Sequence, residues 1–317
     1  LFNLIRNEQM KLFIQKSTWI MFILLFGFVI LTAAITKGFE KPAAYTKDNW
    51  RQELEKQNKG YEKNMKDPDL KDDPDYMQYQ MQQIETNNYY LEHDIQPASY
   101  GAWHFVKDSV YSISILSLLT IIVAAGIVAN EFRWGTIKLL LIRPISRAKI
   151  LLSKYLSILI FALILLVFYL IASWIVGALF FGFDGLNPKE AMFVDGKLVY
   201  DSIVGQSMVD YAYKLVNLVM MTTFAFMIST VFRNSSLAIG IAIFLMMAGT
   251  SILMFVARFD WAKYILFANT DLTQYTTGTP IIKGMTLQFS IIVLLVYYAI
   301  FLVASWFAFT KRDVAGA

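Results

Sequence analysis

Residues 130–149 hold the residues of this chain best suited to contact chemistry. They read Asn130-Glu131-Phe132-Arg133-Trp134-Gly135-Thr136-Ile137-Lys138-Leu139-Leu140-Leu141-Ile142-Arg143-Pro144-Ile145-Ser146-Arg147-Ala148-Lys149. Six Lys and Arg side chains lie between Arg133 and Lys154, with Glu131 the single acid. Such a segment offers charge-assisted hydrogen bonds to a docked protein. Catalytic chemistry is harder to assemble. Ser146-Arg147-Ala148-Lys149 has Ser-x-x-Lys spacing, but the companion motifs of serine acyl enzymes are missing, and it reads as a chance match. His93 and His104 are the two histidines. Glu92-His93-Asp94 is consecutive, so its side chains point around a helix instead of converging on one ion, and it reads as a solvated charge cluster. The chain has no cysteine, which removes disulfides, thiol nucleophiles and cysteine metal sites. No Gly-x-x-x-x-Gly-Lys-Ser/Thr run occurs, so the chain has no phosphate-cradling loop of that type. No catalytic residue, resident cofactor or metal site is expected.

These residues sit among long apolar runs. Of 317 residues, 57% are hydrophobic and 16% charged, where a soluble domain carries about 25% charged residues. This is the composition of an integral membrane protein. The net charge of +4 is too small and too unevenly spread to suggest nucleic acid. Six uncharged segments can each cross the bilayer, which takes roughly 20 helical residues. They are Ser17–Thr36, Ser109–Asn130, Tyr155–Phe181, Leu215–Phe232, Asn234–Ala257 and Gly284–Thr310 (17–36, 109–130, 155–181, 215–232, 234–257 and 284–310). They are too long and too uniformly apolar for barrel strands of about 10 alternating residues. The first lacks a small-residue cleavage pattern after it and reads as a retained span. The expected fold is an all-α membrane protein.

Orientation follows from the basic residues of the loops. Residues 1–16, the loop 131–154, Arg233 and the tail 311–317 fall on one side, with 12 bases against 3 acids. Residues 37–108 lie opposite, with 10 bases and 14 acids. Both termini are therefore expected to be cytoplasmic.

Residues 1–16 read as an interfacial helix, with Phe2, Ile5, Met10, Leu12 and Phe13 on one face and Asn3, Asn7, Lys11 and Gln15 opposite. Residues 37–108 read as an extracellular helical hairpin. Trp50, Leu54, Tyr61 and Met65 make one stripe and Met77, Met81, Ile84, Leu91 and Ile95 the other, with a turn from Asp67-Pro68-Asp69 to Asp73-Pro74-Asp75 and the polar Gln57 and Asn88 on the seam. In 182–214, Asp195-Gly196 between β-formers signals a short hairpin. In 258–283, Asp260–Phe267 is expected to form a short interfacial helix with Asp260 as N-cap.

The spans contain no Asp, Glu, Lys, Arg or His, which argues against an ion-coupled or proton-coupled carrier. Asp210 and Lys214 are spaced to pair at the outer edge of the fourth span. The mild polar groups of the spans have helix-to-helix hydrogen bonding as their default role. Asn217, Thr222 and Thr223 are the candidates for a substrate path. The energy for any transport must then come from outside the chain, which points to the loop 131–154. Thr136–Ile142 can form about two helical turns before Pro144 ends them, and Ser146 can cap a helix running through Ile150 into the third span. A short docking helix followed by a basic elbow could transmit a push to the second and third spans.

This pattern resembles the permease subunits of ABC-2 type transporters. There an acidic residue, Gly-Thr, a leucine-rich turn, Pro, a Ser-Arg pair and a Lys join the second and third spans. The matching positions are Glu131, Gly135-Thr136, Leu139-Leu140, Pro144, Ser146-Arg147 and Lys154, and the last span closes in Phe309-Thr310-Lys311-Arg312-Asp313-Val314. The resemblance implies six transmembrane helices with an N-terminal interfacial helix and a cytoplasmic coupling helix, in a bacterial plasma membrane. It implies ATPase-coupling roles for Glu131, Gly135, Thr136, Leu139, Leu140, Arg143, Pro144, Ser146 and Arg147. It also implies a second permease subunit, as homodimer or heterodimer, and an ABC ATP-binding subunit in trans that binds ATP and Mg. The implied function is export of an amphipathic or hydrophobic substrate such as a peptide antibiotic, drug or lipid-linked molecule. The alternative is a non-transporting membrane sensor or immunity protein that binds a peptide through its extracellular hairpin. An ATP-independent secondary carrier is disfavoured by the uncharged spans.

Overall fold

The computed structural model describes residues 1–40, 45–46, 48–67, 74–137, 144–194, 196–276, 278, 280–282 and 284–311. In chain order the elements are α1 (Phe2–Ile14), α2 (Lys16–Ile35), α3 (Trp50–Asn64), α4 (Pro74–Glu92), α5 (Ala102–Ser109), α6 (Ser114–Arg133) and α7 (Arg147–Phe181). They continue as β1 (Lys189–Val194), β2 (Lys197–Ser202), α8 (Ile203–Phe232), α9 (Ser235–Val256), α10 (Leu266–Asn269), α11 (Thr273–Thr276) and α12 (Leu287–Lys311). Among the described residues, six helices are long and apolar enough to span a membrane: α2 with its extension to Phe39, α6, α7, α8, α9 and α12. The protein is an all-α, multi-pass membrane protein.

Helices α6, α7 and α8 form the centre. Their shared core includes Ile121, Val128, Ile158, Met221 and Phe226. Helices α2, α9 and α12 flank it and turn large apolar residues outward, among them Ile23, Leu24, Phe244, Met247, Leu295 and Phe307. Helices apolar on every side are stable where the solvent is lipid. Hydroxyls join the centre at buried points. Tyr155 Oη lies 2.8 Å from Thr223 Oγ1 and donates to Tyr298 Oη at 2.9 Å, linking α7, α8 and α12. Ser229 Oγ donates to the Ala125 carbonyl at 2.6 Å. Each such bond in a membrane protein contributes about 0.6 kcal/mol.

Two helices exceed the spans read from the sequence. Helix α7 has 35 residues, about 52 Å at 1.5 Å per residue, and starts eight positions before Tyr155. Helix α8 has 30 residues and begins at Ile203. Each projects beyond a hydrocarbon layer of about 30 Å, α7 toward the α1 end of the bundle and α8 toward the other.

At that other end, the described residues of the polar segment form α3 and α4, which pack together as a hairpin, and a further helix, α5. Helix α5 has its own apolar face, and Phe105 and Val106 join the bundle core. The Ala102 N–H donates to the Gly182 carbonyl at 3.1 Å. Helices α3 and α4 pack together, but the α4 seam is Gln80, Asn87 and Tyr90, while Met81 is exposed. The contact is hydrogen-bonded: Asn58 and Asn88 meet at 2.9 Å, and Asn87 donates to Asn58 at 2.9 Å. Amide pairs thus share this seam with the apolar residues Trp50 and Leu54, which are buried as the α3 stripe predicts. The Pro-rich turn at 68–73 lies outside the described residues.

Strands β1 and β2 pair antiparallel, Val194 opposite Lys197, across a turn in which Gly196 has φ +72°. Asp195 lies outside the described residues. Asp260 is the first residue of a 3-10 turn, Asp260–Tyr264, and Phe259 takes the cap position expected for Asp260. Lys214 pairs with Asp271 instead of Asp210, reaching both carboxylate oxygens at 2.8 and 2.9 Å. Asp210 instead accepts from Gln206 and Thr276, both at 3.2 Å. Asp271 can approach from a separate loop and is not held to a fixed helical spacing. Burial pushes its carboxyl pKa up, but Lys214 and Thr273 outweigh that and hold it below the usual value.

Gly177 gives a test of the packing. A Cβ there would lie 3.1 Å from Ala102 Cα, the Ala102 carbonyl oxygen and Phe105 Cβ. Gly177→Val should force α5 off α7 and destabilise the fold by about 1–3 kcal/mol, read as a lower melting temperature in detergent. Gly27→Val on α2, where nothing lies within 4 Å, should leave the melting temperature nearly unchanged.

Candidate functional site

The α1 end of the bundle gathers the basic segments. Helix α6 ends at Arg133, and Gly135 follows with φ +70°. A glycine takes this left-handed conformation without steric penalty. The turn brings Thr136 back under the helix, where its hydroxyl donates to Glu131 Oε2. Ser146 caps the start of α7, its hydroxyl accepting from the Lys149 N–H at 3.4 Å. From that start, α7 carries Lys154 two turns inward.

Lys154 is 1% exposed and sits between two carboxylates. Its Nζ is 2.8 Å from Glu8 Oε2 and 2.8 Å from Glu131 Oε1. Lys11 closes the figure, with Nζ at 2.9 Å from Glu8 Oε1 and 3.1 Å from Glu131 Oε1. Two ammonium groups and two carboxylates thus compensate one another where α1, α6 and α7 meet. Buried charges persist when paired and hydrogen-bonded in this way. Further bonds fasten α1 to α7: Gln9 donates to the Ser157 carbonyl at 2.6 Å, and Ser157 donates to the Ile5 carbonyl at 3.4 Å. A cavity of about 240 Å³ opens beside the charges between α1, α2 and α6, lined by Glu8, Lys11, Leu12, Met21, Asn130 and Glu131 among others.

This arrangement amends the sequence reading of residues 1–16 in part. Asn3, Asn7 and Gln15 are exposed as read, and Leu12 is buried, but Phe2 and Met10 of the expected apolar face are exposed too. Lys11 stays 42% exposed at its side chain while its ammonium reaches Glu8 and Glu131, and Glu8 is the charged residue of α1 that is buried. Lys11 lies outside the spans and its pKa is moved by opposing effects. Burial lowers it, but the hydrogen bond to Glu8 and the charges of Glu8 and Glu131 raise it further, so the net shift is upward.

The other residues singled out from sequence are placed as follows. Glu131, Gly135 and Thr136 join the cluster or shape it. Pro144 is exposed before the Ser146 cap. Arg147 donates to the Thr310 carbonyl at 3.4 Å, which ties the start of α7 to the end of α12. Leu139, Leu140 and Arg143, with the rest of 138–143, lie outside the described residues, as does the tail from Arg312. Arg233, in the left-handed conformation between α8 and α9, stacks its guanidinium 4.5 Å from the Phe132 ring. Thr222 and Thr223 are fully buried. Their hydroxyls meet Thr120 at 3.3 Å and Tyr155 at 2.8 Å. They act between helices, and Asn217 is partly buried on the same helix. The sequence reading missed Glu8 and Lys11. The available signal was that Glu8 and Glu131 are the only acids among the basic-side segments before the tail. Among the described residues no group of three or more His, Cys, Asp or Glu could hold a metal ion.

A family model described as "Protein of unknown function (DUF2705)" matches residues 75–315. The chain is similar to "Uncharacterized protein YhcI" of Bacillus subtilis (strain 168), at 45% identity over 99% of both chains. It is also similar to "Uncharacterized membrane protein YdbK" of the same organism, at 34% identity over 63% of this chain and 78% of that protein. The stretch matched by the family model contains Glu131 and Lys154 and begins after Glu8 and Lys11.

Removing one partner of a buried ion group costs about 3–5 kcal/mol, because the others are left uncompensated. Lys154→Met should therefore lower the unfolding free energy in detergent or bicelles by that amount. Adding Glu131→Gln to that variant restores charge balance and should recover part of the loss. If the double variant is no more stable than Lys154→Met, the charges are not coupled. The pH dependence follows from Lys11. Its folded pKa is raised above 10.5, so its stabilisation is complete below that pH and disappears as pH rises through the raised value. The melting-temperature advantage of the native chain over Lys11→Met should shrink above pH 10.5.

Proposed function

The chain belongs to the DUF2705 family, and we propose that it is the permease subunit of an ATP-binding-cassette exporter of the ABC-2 type, powered by a separate ATP-binding subunit. The observation that carries this reading is the ion cluster at the base of the loop 131–154, in which buried Glu8, Glu131 and Lys154 are joined by the half-exposed Lys11. A protein docked on that loop acts on α6, α7 and α1 together, because their charges cannot be separated cheaply. Helix α7 is unbroken from Arg147 to Phe181 and carries a displacement at Ser146 to the far end of the bundle. Arg147 and Tyr155 spread it to α12 and α8.

In this reading the basic end is cytoplasmic, so both termini lie inside a bacterial plasma membrane and α3–α4 and β1–β2 lie outside. Helix α1 lies along the inner leaflet, with Phe2, Met10 and Ile14 toward lipid. A second permease subunit, identical or related, completes the transport unit. ATP and Mg are bound by the partner, and this chain is not itself an enzyme. The substrate is amphipathic or hydrophobic. An apolar groove of about 590 Å³ between α8 and α12, lined by residues such as Leu215, Val219, Leu272, Leu294 and Tyr298, supports that class better than the buried Thr222 and Thr223 do. The second reading, a non-transporting sensor or immunity protein that binds a peptide through its extracellular hairpin, is favoured by a cavity between α3 and α4 lined by tyrosines, amides and the carboxylates of Glu53 and Glu190.

Co-expression with the matching ATP-binding subunit should yield a stable complex. Arg143→Glu and Arg147→Glu should lower its permease-stimulated ATP turnover several-fold. Unaltered assembly and turnover in both variants would count against the transporter reading. Peptide binding by the chain, with no ATP-binding subunit recoverable from native membranes, would favour the sensor.

A further inference from the structure

A cavity of about 660 Å³ lies between α3 and α4 and beside the segment that leads into α5. This volume is in the range of small-ligand sites. The floor is firm. Leu54 is 1% exposed, and the Tyr90 hydroxyl accepts from the Ala191 N–H at 2.7 Å, which fixes α4 to the hairpin. Tyr45, Tyr61 and Tyr79 form much of the wall, and Gln83 adds an amide. Glu53 and Glu190 also line it. Its remaining ionisable group apart from tyrosines, His104, is engaged by Asp184 at 3.0 Å. The lining includes neither Lys nor Arg; Lys107 pairs with Glu190 at 2.9 Å and Lys56 with Glu53 at 3.5 Å, each through one carboxylate oxygen.

The groups are near enough to act on one another. Burial pushes the Tyr45 phenol pKa up, a hydrogen bond from Gln57 opposes this, and the charges of Glu53 and Glu190 push it further up. Tyr61 is likewise raised by burial and then by Tyr79 and Tyr45. Carboxylates repel anions, and the negative faces of aromatic rings attract cations. An amide beside them can hydrogen-bond a peptide backbone.

We propose that this cavity binds the ammonium or guanidinium group of a cationic peptide, held between Glu53 and Glu190 against the rings of Tyr45, Tyr61 and Tyr79. Its position outside the cell rests on the orientation given above; its binding chemistry does not. A chain with such a site either senses a cationic peptide or receives one for transport.

The test uses the full-length chain in nanodiscs of phosphatidylcholine, whose neutral surface does not itself attract cations. Calorimetry compares a short peptide of Lys and Leu, the same peptide with Glu in place of Lys, and a neutral N-acetylglucosamine oligomer. The Lys peptide should bind, and more weakly at high salt. Glu53→Lys and Tyr61→Ala should each weaken it about tenfold or more, with unchanged thermal unfolding. If Tyr61→Ala unfolds, Tyr79→Ala takes its place, since that side chain is 54% exposed. The proposal is overturned by absence of Lys-peptide binding, equal affinity for the Glu peptide, tighter binding of the oligosaccharide, or affinity unmoved by the substitutions. Assembly with the ATP-binding subunit is measured on the same variants and should not change. Failure of the native chain to assemble would overturn the transporter reading and leave the peptide result standing.

Discussion

The ammonium of Lys154, enclosed in the protein interior, is the constraint from which the α1 end follows. An isolated charge there would be prohibitively desolvated, so it requires carboxylates at hydrogen-bond distance. One comes from the end of α6 and the other from α1, 146 positions away in sequence. Glu131 faces α7 from the last turn of α6, and Gly135, in the left-handed conformation just past the helix end, turns the chain so that Thr136 also reaches Glu131. Two carboxylates around one ammonium would leave a net charge, and Lys11 removes it. Pairing also helps fix which side of α1 faces the bundle, together with the buried Leu12 on the same helix.

The two ends of the molecule are built by different physics. At the α1 end, few but fully charged groups hold three helices. At the other end, separate ion pairs such as Lys107–Glu190 and Lys214–Asp271 are mixed with neutral contacts: amide pairs between α3 and α4, a backbone bond from Ala102 to Gly182, and the Tyr90 hydroxyl on β1. Between them the spans use apolar packing with occasional hydroxyls, because lipid supplies no hydrophobic drive to press one apolar helix against another. The exposed apolar residues of α2, α9 and α12 are the counterpart of that solvent.

What was legible in the sequence follows the strength of its signals. All six membrane helices were legible because each carries an uncharged run of sufficient length. Their ends were less so. The first two turns of α7 contain Arg147, Lys149 and Lys154, so hydropathy alone starts the span at Tyr155, but the Ser146 cap marks the start of the helix and the structure begins it there. The motif Glu131, Gly135, Thr136 and Lys154 was visible as a pattern, but not as a cluster. Its other half, Glu8 and Lys11, comes from a distant segment and leaves no local periodicity. The α3–α4 seam was legible in part: Trp50 and Leu54 of the apolar stripe are buried, with Leu91 and Ile95 packed near them, whereas Asn87 is held by a hydrogen bond to Asn58 that an apolar stripe does not signal.

The same charges limit how the bundle can move. Separating α6 from α7 at their basic end would strand Glu131 or Lys154 in an interior of low dielectric, and lifting α1 would strand Glu8. Helices α1, α6 and α7 therefore move as one body at that end. Helix α9 is more weakly enclosed, with Ala238, Ala242, Gly249 and Leu253 as its buried residues. It presents no charged group to α6, α7 or α8 and can shift against them without breaking an ion pair. Helix α8 belongs with the stiff part, since it shares the buried core of α6 and α7. The loosest fit is that of α9, whose buried face consists of small residues and one leucine.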